Sequence, residues 1–154
     1  MSRVDLTLEA RLALAEAHCR QRGSRLTPLR KQVLTLLMRH NGCVKAYDLL
    51  EEIRRSHGGS TPPTVYRALD FLLAEGLAHR IDSLNTFVAC NDFNDHQHSL
   101  LVVCSHCSSF VEIDDEEVSQ LLTDRLKEKG FAFNGKDVEV KAMCKACLVK
   151  QDDK

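Results

Sequence analysis

Thr61-Pro62-Pro63-Thr64-Val65-Tyr66-Arg67-Ala68-Leu69-Asp70-Phe71-Leu72 is the stretch on which the fold of the first half turns. Two prolines open a helix here, because the N–H groups they lack would go unpaired in a first turn anyway. Val65, Leu69, Leu72 and Leu73 recur at helical spacing and bury one face, and Gly76 ends the run. Behind it, Leu77–Asp82 and Thr86–Cys90 read as two short strands turning at Ser83-Leu84-Asn85. Ahead of it stand three helical patterns. Thr7 to Arg22 carries Leu8, Leu12, Ala15 and Cys19 on one stripe and stops at Gly23. A second helix starts at Thr27-Pro28, with Thr27 as cap, and runs to Asn41-Gly42. Lys45 to Ser56 places Ala46, Leu49, Leu50 and Ile53 together. Three helices, a fourth that opens on proline, and a terminal hairpin describe a winged helix-turn-helix.

Beyond Cys90 the pattern changes. Asn91 to Gln97 is polar and reads as a linker. Ser99–Cys104 and Phe110–Ile113 read as paired strands. Asp114-Asp115-Glu116-Glu117 places negative charge where it favours a helix N-terminus, and that helix ends at Gly130. Phe131–Phe133 and Asp137–Met143 are further predicted strands, and residues 148–154 read as a frayed end. The chain is therefore α+β. The winged-helix domain is expected over 1–90, a hinge over 91–97, and a small α/β domain over 98–154.

Two C-x-x-C motifs, Cys104-Ser105-His106-Cys107 and Cys144-Lys145-Ala146-Cys147, stand in that second part with 36 residues between them. One such motif is a weak signal, shared with redox proteins. Two supply the four thiolates of a closed tetrahedral structural zinc site. Their separation exceeds that of a simple zinc ribbon, so the intervening residues are expected to build structure of their own. The competing reading is two unrelated thiol pairs. A thiol–disulfide oxidoreductase would want a thioredoxin-like βαβ context, which is absent around Cys104. No enzyme activity and no small-molecule substrate are expected.

Composition narrows the field further. The chain has 154 residues, seven cysteines and a net charge of −1, with 13 Lys+Arg against 8 Asp+Glu over residues 1–80 and 8 against 14 over 81–154. A basic half beside an acidic half points the first at a polyanion. Nothing resembles a signal peptide, and no apolar run approaches the ~20 residues of a membrane span. The expected compartment is the cytoplasm, where thiols stay reduced and cysteines favour metal over disulfides. A zinc-stabilised protein-interaction module is the other non-enzymatic reading, which the basic half and the Pro-Thr helix disfavour.

A second candidate metal set is His79, Cys90, His96, His98 and Glu112. His79 and Cys90 lie on the two arms of the wing hairpin. His96 and His98 alternate, so in an extended strand both face one side. Glu112 follows the first knuckle by five residues. Mixed histidine, thiolate and carboxylate ligands suit zinc, and the thiolate argues against a purely hard-ligand iron or manganese site. Singly, each of these residues has a bland structural reading.

The Thr61–Leu72 stretch, Arg25-Leu26-Thr27-Pro28-Leu29-Arg30 and the paired C-x-x-C together resemble the ferric uptake regulator family, over roughly residues 10–148. Ala46-Tyr47-Asp48-Leu49-Leu50, the double proline and Cys90 after the wing are similar to its zinc-responsive branch. The resemblance implies a homodimeric, metal-dependent transcriptional repressor of zinc uptake genes that binds a two-fold double-stranded DNA operator, the second domain serving dimerisation. It assigns Cys104, Cys107, Cys144 and Cys147 to structural zinc. It assigns His79, Cys90, Glu112 and one histidine of the H-x-H segment to a regulatory site. The family often sets that segment closer to the first knuckle than His96-Gln97-His98 stands here. His98, nearer the strand, is the preferred ligand and His96 the alternative. Tyr66 and Arg67 match the recognition helix, with Thr64 beside them and Tyr47 as a further candidate DNA contact. An iron- or peroxide-responsive repressor of the same family is the alternative reading.

Overall fold

The computed structural model describes residues 6–40, 42–56, 58–90, 93, 99–134 and 137–153. The chain divides into two compact units, Met1–Asn94 and Asp95–Lys154.

In the first unit, α1 (Leu8–Gln21) begins where Thr7 Oγ1 accepts the Ala10 N–H at 3.2 Å. α2 (Pro28–His40) starts on Thr27, whose hydroxyl accepts from Arg30 N. α3 (Ala46–Ser56) and α4 (Pro62–Ala74) complete the helices. Their apolar stripes converge, so that Leu34, Leu37, Leu49, Ile53, Leu69 and Leu72 are nearly or wholly removed from solvent in one core. The wing strands β2 (Ala78–Ile81) and β3 (Thr86–Ala89) pair antiparallel, with His79 opposite Val88. A third strand, β1 (Val44–Lys45), joins the outer side of β3. Lys45, expected as the first residue of the third helix, belongs to this strand instead, since two residues are too few to display a period-2 alternation.

The end of α4 aims the wing. Gly76, at φ +72°, closes the helix by a paired cap: Leu77 N–H donates to Leu72 O at 2.9 Å and Gly76 N–H to Leu73 O at 3.2 Å. No atom lies within 4 Å of the position a Cβ would take there. Gly76→Ala therefore meets only the backbone penalty of the left-handed region, about 1–2 kcal/mol. We expect the urea midpoint of the variant to fall accordingly, with the fold retained.

In the second unit, β4 (Ser99–Cys104) is central, antiparallel to β5 (Phe110–Ile113) on one side and parallel to β6 (Asp137–Ala142) on the other. The parallel pair requires a crossover, which β5 and α5 (Glu116–Glu128) provide. Asp115 caps α5, its carboxylate accepting Val118 N–H at 3.0 Å, so the acidic run serves the helix start as read. Two expectations are corrected. Phe131–Phe133 forms no strand. Its apolar residues follow the Gly130 cap, where Phe131 N–H is engaged by Leu126 O, as the chain turns toward β6. The supposed frayed end is a helix, α6 (Lys145–Asp152), whose N-cap is Cys144. Among the described residues, no helix is long and apolar enough to cross a membrane.

Candidate metal centres and nucleic-acid surface

The four knuckle cysteines converge because of the β4–β6 register. Cys104 stands opposite Ala142 at the ends of the two parallel strands, so the segments that follow both leave from one edge. The first is a tight turn. Ser108 N–H donates to Cys104 O at 3.0 Å and Cys104 N–H to Ser109 O at 2.9 Å, with Ser108 left-handed at φ +59°. Ser105 N–H, bonded to Ala142 O at 2.9 Å, ties that turn to the approach of the second pair. The second pair rides the first turn of α6, where Cys147 N–H donates to Cys144 O at 3.0 Å. The helix dipole there favours negative sulfur.

All four sulfurs lie within 4.8 Å of one another, and Cys107 Sγ and Cys144 Sγ are 3.6 Å apart. A disulfide needs about 2.05 Å. A zinc tetrahedron with ~2.3 Å bonds places its sulfurs about 3.8 Å apart. The cluster therefore fits a structural zinc site. Its electrostatics agree. Backbone N–H groups of Cys144, Cys107 and His106 hold the Cys104 thiol down to about 5, the Cys144 N–H reaching its sulfur at 3.4 Å. Cys144 is lowered too, chiefly by the Cys147 N–H. Cys147 is pushed up to about 12, first by its hydrogen bond with Cys144. Without metal the four sulfurs cannot all ionise together; a dication removes that conflict. His106, inside the first knuckle, bonds Ser105 Oγ through Nδ1 and accepts from Gln151 of α6 at Nε2.

The second set is distributed differently. His79 sits on β2, and Cys90 follows β3, its N–H donating to Leu77 O at 2.9 Å. Antiparallel pairing makes the two diagonal neighbours on one face, and their ligand atoms come within 4.8 Å. His79 is 7 % exposed and Cys90 2 %. A buried imidazole beside a buried thiol on a wing is a pair of soft-to-borderline donors with little water around them. Glu112, half-buried, stands on β5 of the second unit opposite Leu101. His96 and His98 lie outside the described residues.

The side chains expected to face DNA are presented outward. Tyr47, the second residue of α3, is 68 % exposed, and Tyr66 on α4 is 50 % exposed. They flank a notch of about 130 Å³ floored by Ala46, Leu50 and Val65. Arg67 is exposed, and the half-buried Thr64 hydroxyl is 2.8 Å from that of Thr61. Sequence reasoning assigned no role to the polar members of the packed face of α1. His18 Nε2 is 2.7 Å from Glu75 O, and its ring lies 6.2 Å from that of Phe93. Arg11 occupies the same face two turns earlier. The signal was available: residues 8, 11, 12, 15, 18 and 19 form one helical stripe, and two of its six members are basic-type residues.

Residues 21–141 match the model of the ferric uptake regulator family. The chain belongs to the ferric uptake regulator family. The zinc uptake regulation protein of Escherichia coli strain K12 is 39 % identical over 143 residues, covering 92 % of this chain and 84 % of that protein. A zinc uptake regulator solved with zinc and DNA aligns at a TM-score of 0.85 and 38 % identity, over 96 % of this chain and 99 % of that one. The holo form of a second such regulator, XcZur, aligns at 0.80 and 40 % identity, over 90 % and 96 %. In family terms the first unit is the winged-helix part and the second carries the paired C-x-x-C.

Proposed function

We propose that this chain is a zinc-dependent DNA-binding transcriptional repressor of zinc uptake genes, and not an enzyme. It works as a cytoplasmic homodimer, and zinc is the corepressor that locks the dimer into its operator-binding geometry. The observation that carries the reading is the buried His79–Cys90 pair on the wing of a helix-turn-helix unit. A thiolate in that place favours zinc over harder cations. The likeness to a zinc uptake regulator solved with zinc and DNA, and to holo XcZur, supports it.

In this proposal Cys104, Cys107, Cys144 and Cys147 hold a structural zinc. His79, Cys90, Glu112 and His98, or His96 in its place, hold the regulatory one. Zinc supplies a dication that a four-ligand shell must surround. The chain's part is to deliver those ligands from separate elements, the wing and β5, so that filling the shell removes freedom between them. In a dimer this sets the separation of two α4 helices, which must enter major grooves ~34–36 Å apart. Val111, Ile113, Val118 and Leu121 on β5 and α5 are all exposed in the single chain, an apolar surface that a second copy would cover.

Arg67 is proposed to read guanine bidentately, with Tyr47, Thr64 and Tyr66 beside it and other basic residues on phosphate. Being exposed, Arg67 contributes little to the fold. Arg67→Ala is expected to weaken operator binding by about 1–3 kcal/mol and to relax preference at one base pair, with the melting temperature unchanged. Gel-shift titrations on single-base operator variants check this.

The reading is tested by counting zinc retained per chain and then titrating zinc or iron(II) while following duplex DNA binding at fixed salt. Binding that needs zinc beyond one retained equivalent supports it. Binding driven by iron(II) indicates the iron- or peroxide-responsive alternative, and binding indifferent to added metal indicates a constitutive DNA binder.

A further inference from the structure

Thr64 and Arg67, two of the proposed DNA contacts, share a strip of α4 with Phe71, since the three recur at three- and four-residue spacing. The C-terminal end of that strip is covered from outside the helix. Arg30, in the first turn of α2, lays its guanidinium over the Phe71 ring, with the central carbon 3.7 Å from the ring centroid. Its Nη1 donates to Arg25 O, in the loop before α2, at 2.8 Å. One charged group thus touches both α4 and the loop, a single helical turn past Arg67. What Arg30 lacks is an anion. Its partners are a ring and a backbone carbonyl, and no carboxylate among the described residues pairs with it. Other arginines of the same unit are neutralised: Arg22 meets Glu75, Arg54 meets Glu51 and Arg80 meets Asp82. A guanidinium that is held in place but left unneutralised keeps its remaining N–H groups for an anion from outside.

We propose that Arg30 clamps a phosphate of the operator backbone beside the base contact of Arg67, with Phe71 as the platform that aims it. The inference rests on the DNA-binding reading above. Groove dimensions decide which part of DNA the guanidinium meets. A helix with its side chains is about 10–12 Å across and the major groove about 12 Å wide, so α4 fills the groove. A cation brought to the flank of α4 by a neighbouring helix therefore faces the groove wall, which is phosphate, and not a base edge. Arg67 then specifies sequence while Arg30 fixes the depth and register at which α4 sits. The planar fork matters as well as the charge, because it can engage two oxygens of one phosphate.

Salt dependence separates this role from a structural one. Binding of the zinc-loaded, full-length protein to an operator duplex and its single-base variants would be followed by fluorescence anisotropy over a range of KCl. Wild type, Arg30→Met and Arg30→Lys would be compared. Methionine keeps an apolar body on the Phe71 ring and removes the charge, whereas lysine keeps the charge. Each phosphate neutralised contributes about 0.9 to the slope of log affinity against log salt. Arg30→Met is therefore expected to flatten that slope by about 0.9 for each chain bound, or about 1.8 for a dimer. It should also weaken all the duplexes by one common factor. Arg30→Lys is expected to keep the wild-type slope. If Arg30→Met weakens binding at an unchanged slope, or relaxes preference at one base pair, Arg30 only props α4 and the inference falls alone. A zinc-loaded wild-type protein that binds none of the duplexes overturns the DNA-binding reading, and the inference with it.

Discussion

Cys144→Ser is expected to yield a protein that retains less than one zinc per chain, runs as a monomer and has lost its operator affinity by more than about a hundredfold. The second unit explains the scale. Among its described residues the buried apolar side chains are few, Leu101 and Val103 foremost, while Val111, Ile113, Val118, Leu121 and Phe131 all remain exposed in the single chain. A core so small leaves folding to the metal, and a four-thiolate zinc site supplies about 10–16 kcal/mol of apparent binding free energy at neutral pH. Cys144 is a severe place to cut, since it is both a sulfur of the cluster and the cap of α6. Serine keeps the cap and removes the thiolate, so the loss reports the metal and not the helix start. Zinc counting after gel filtration, with circular dichroism and urea melts, checks this. A dimeric variant with its zinc in place would remove the structural assignment.

Cys90→Ser is expected to act in the opposite register: structural zinc, dimer and melting temperature retained, but no response of DNA binding to added zinc. The side chain is buried beside His79, and a neutral hydroxyl cannot replace a thiolate toward zinc. The size of the effect is set by linkage. A corepressor that changes affinity for DNA has a coupling of 1–3 kcal/mol, or about 5- to 150-fold. That whole factor should vanish. Reciprocity supplies a second readout, because operator DNA should tighten zinc binding by the same factor in wild type and by none in the variant. If Cys90→Ser still gains affinity for its operator on adding zinc, the wing is not where the metal acts.

Much of this molecule was open to reading before its structure was known, because its signals are local. The helix starts at Thr27-Pro28 and Pro62-Pro63, the acidic helix start within Asp114–Glu117 and the wing hairpin each depend on a few neighbouring residues, and each stands where it was placed. The failures are non-local. β1 exists only because Val44 finds Phe87. α6 has no broad apolar stripe to announce it and is organised at its start by Cys144. Phe131–Phe133 has strand-like composition but no partner strand among the described residues. The two knuckles were recognised by spacing alone, whereas the parallel β4–β6 pair that brings them together left no trace in the sequence. The grouping of His79 with Cys90 was legible from the hairpin. Arg11 was passed over because a basic residue on a helix is read by default as facing water.

The parallel pairing has a consequence for how the protein is made. Synthesis delivers Cys104 and Cys107 well before Cys144 and Cys147, and the strand that must lie beside β4 is separated from it by β5 and α5. The winged-helix unit can fold as it emerges, since all its partners precede the knuckles. The second unit has to wait, with two thiols exposed, until translation has passed Cys147. Any nascent product interrupted in that interval carries a finished DNA-reading head with no closed metal site behind it. Such fragments are expected to be cleared by proteases that enter through the unclosed second unit, whose last strand and second knuckle have not yet been added.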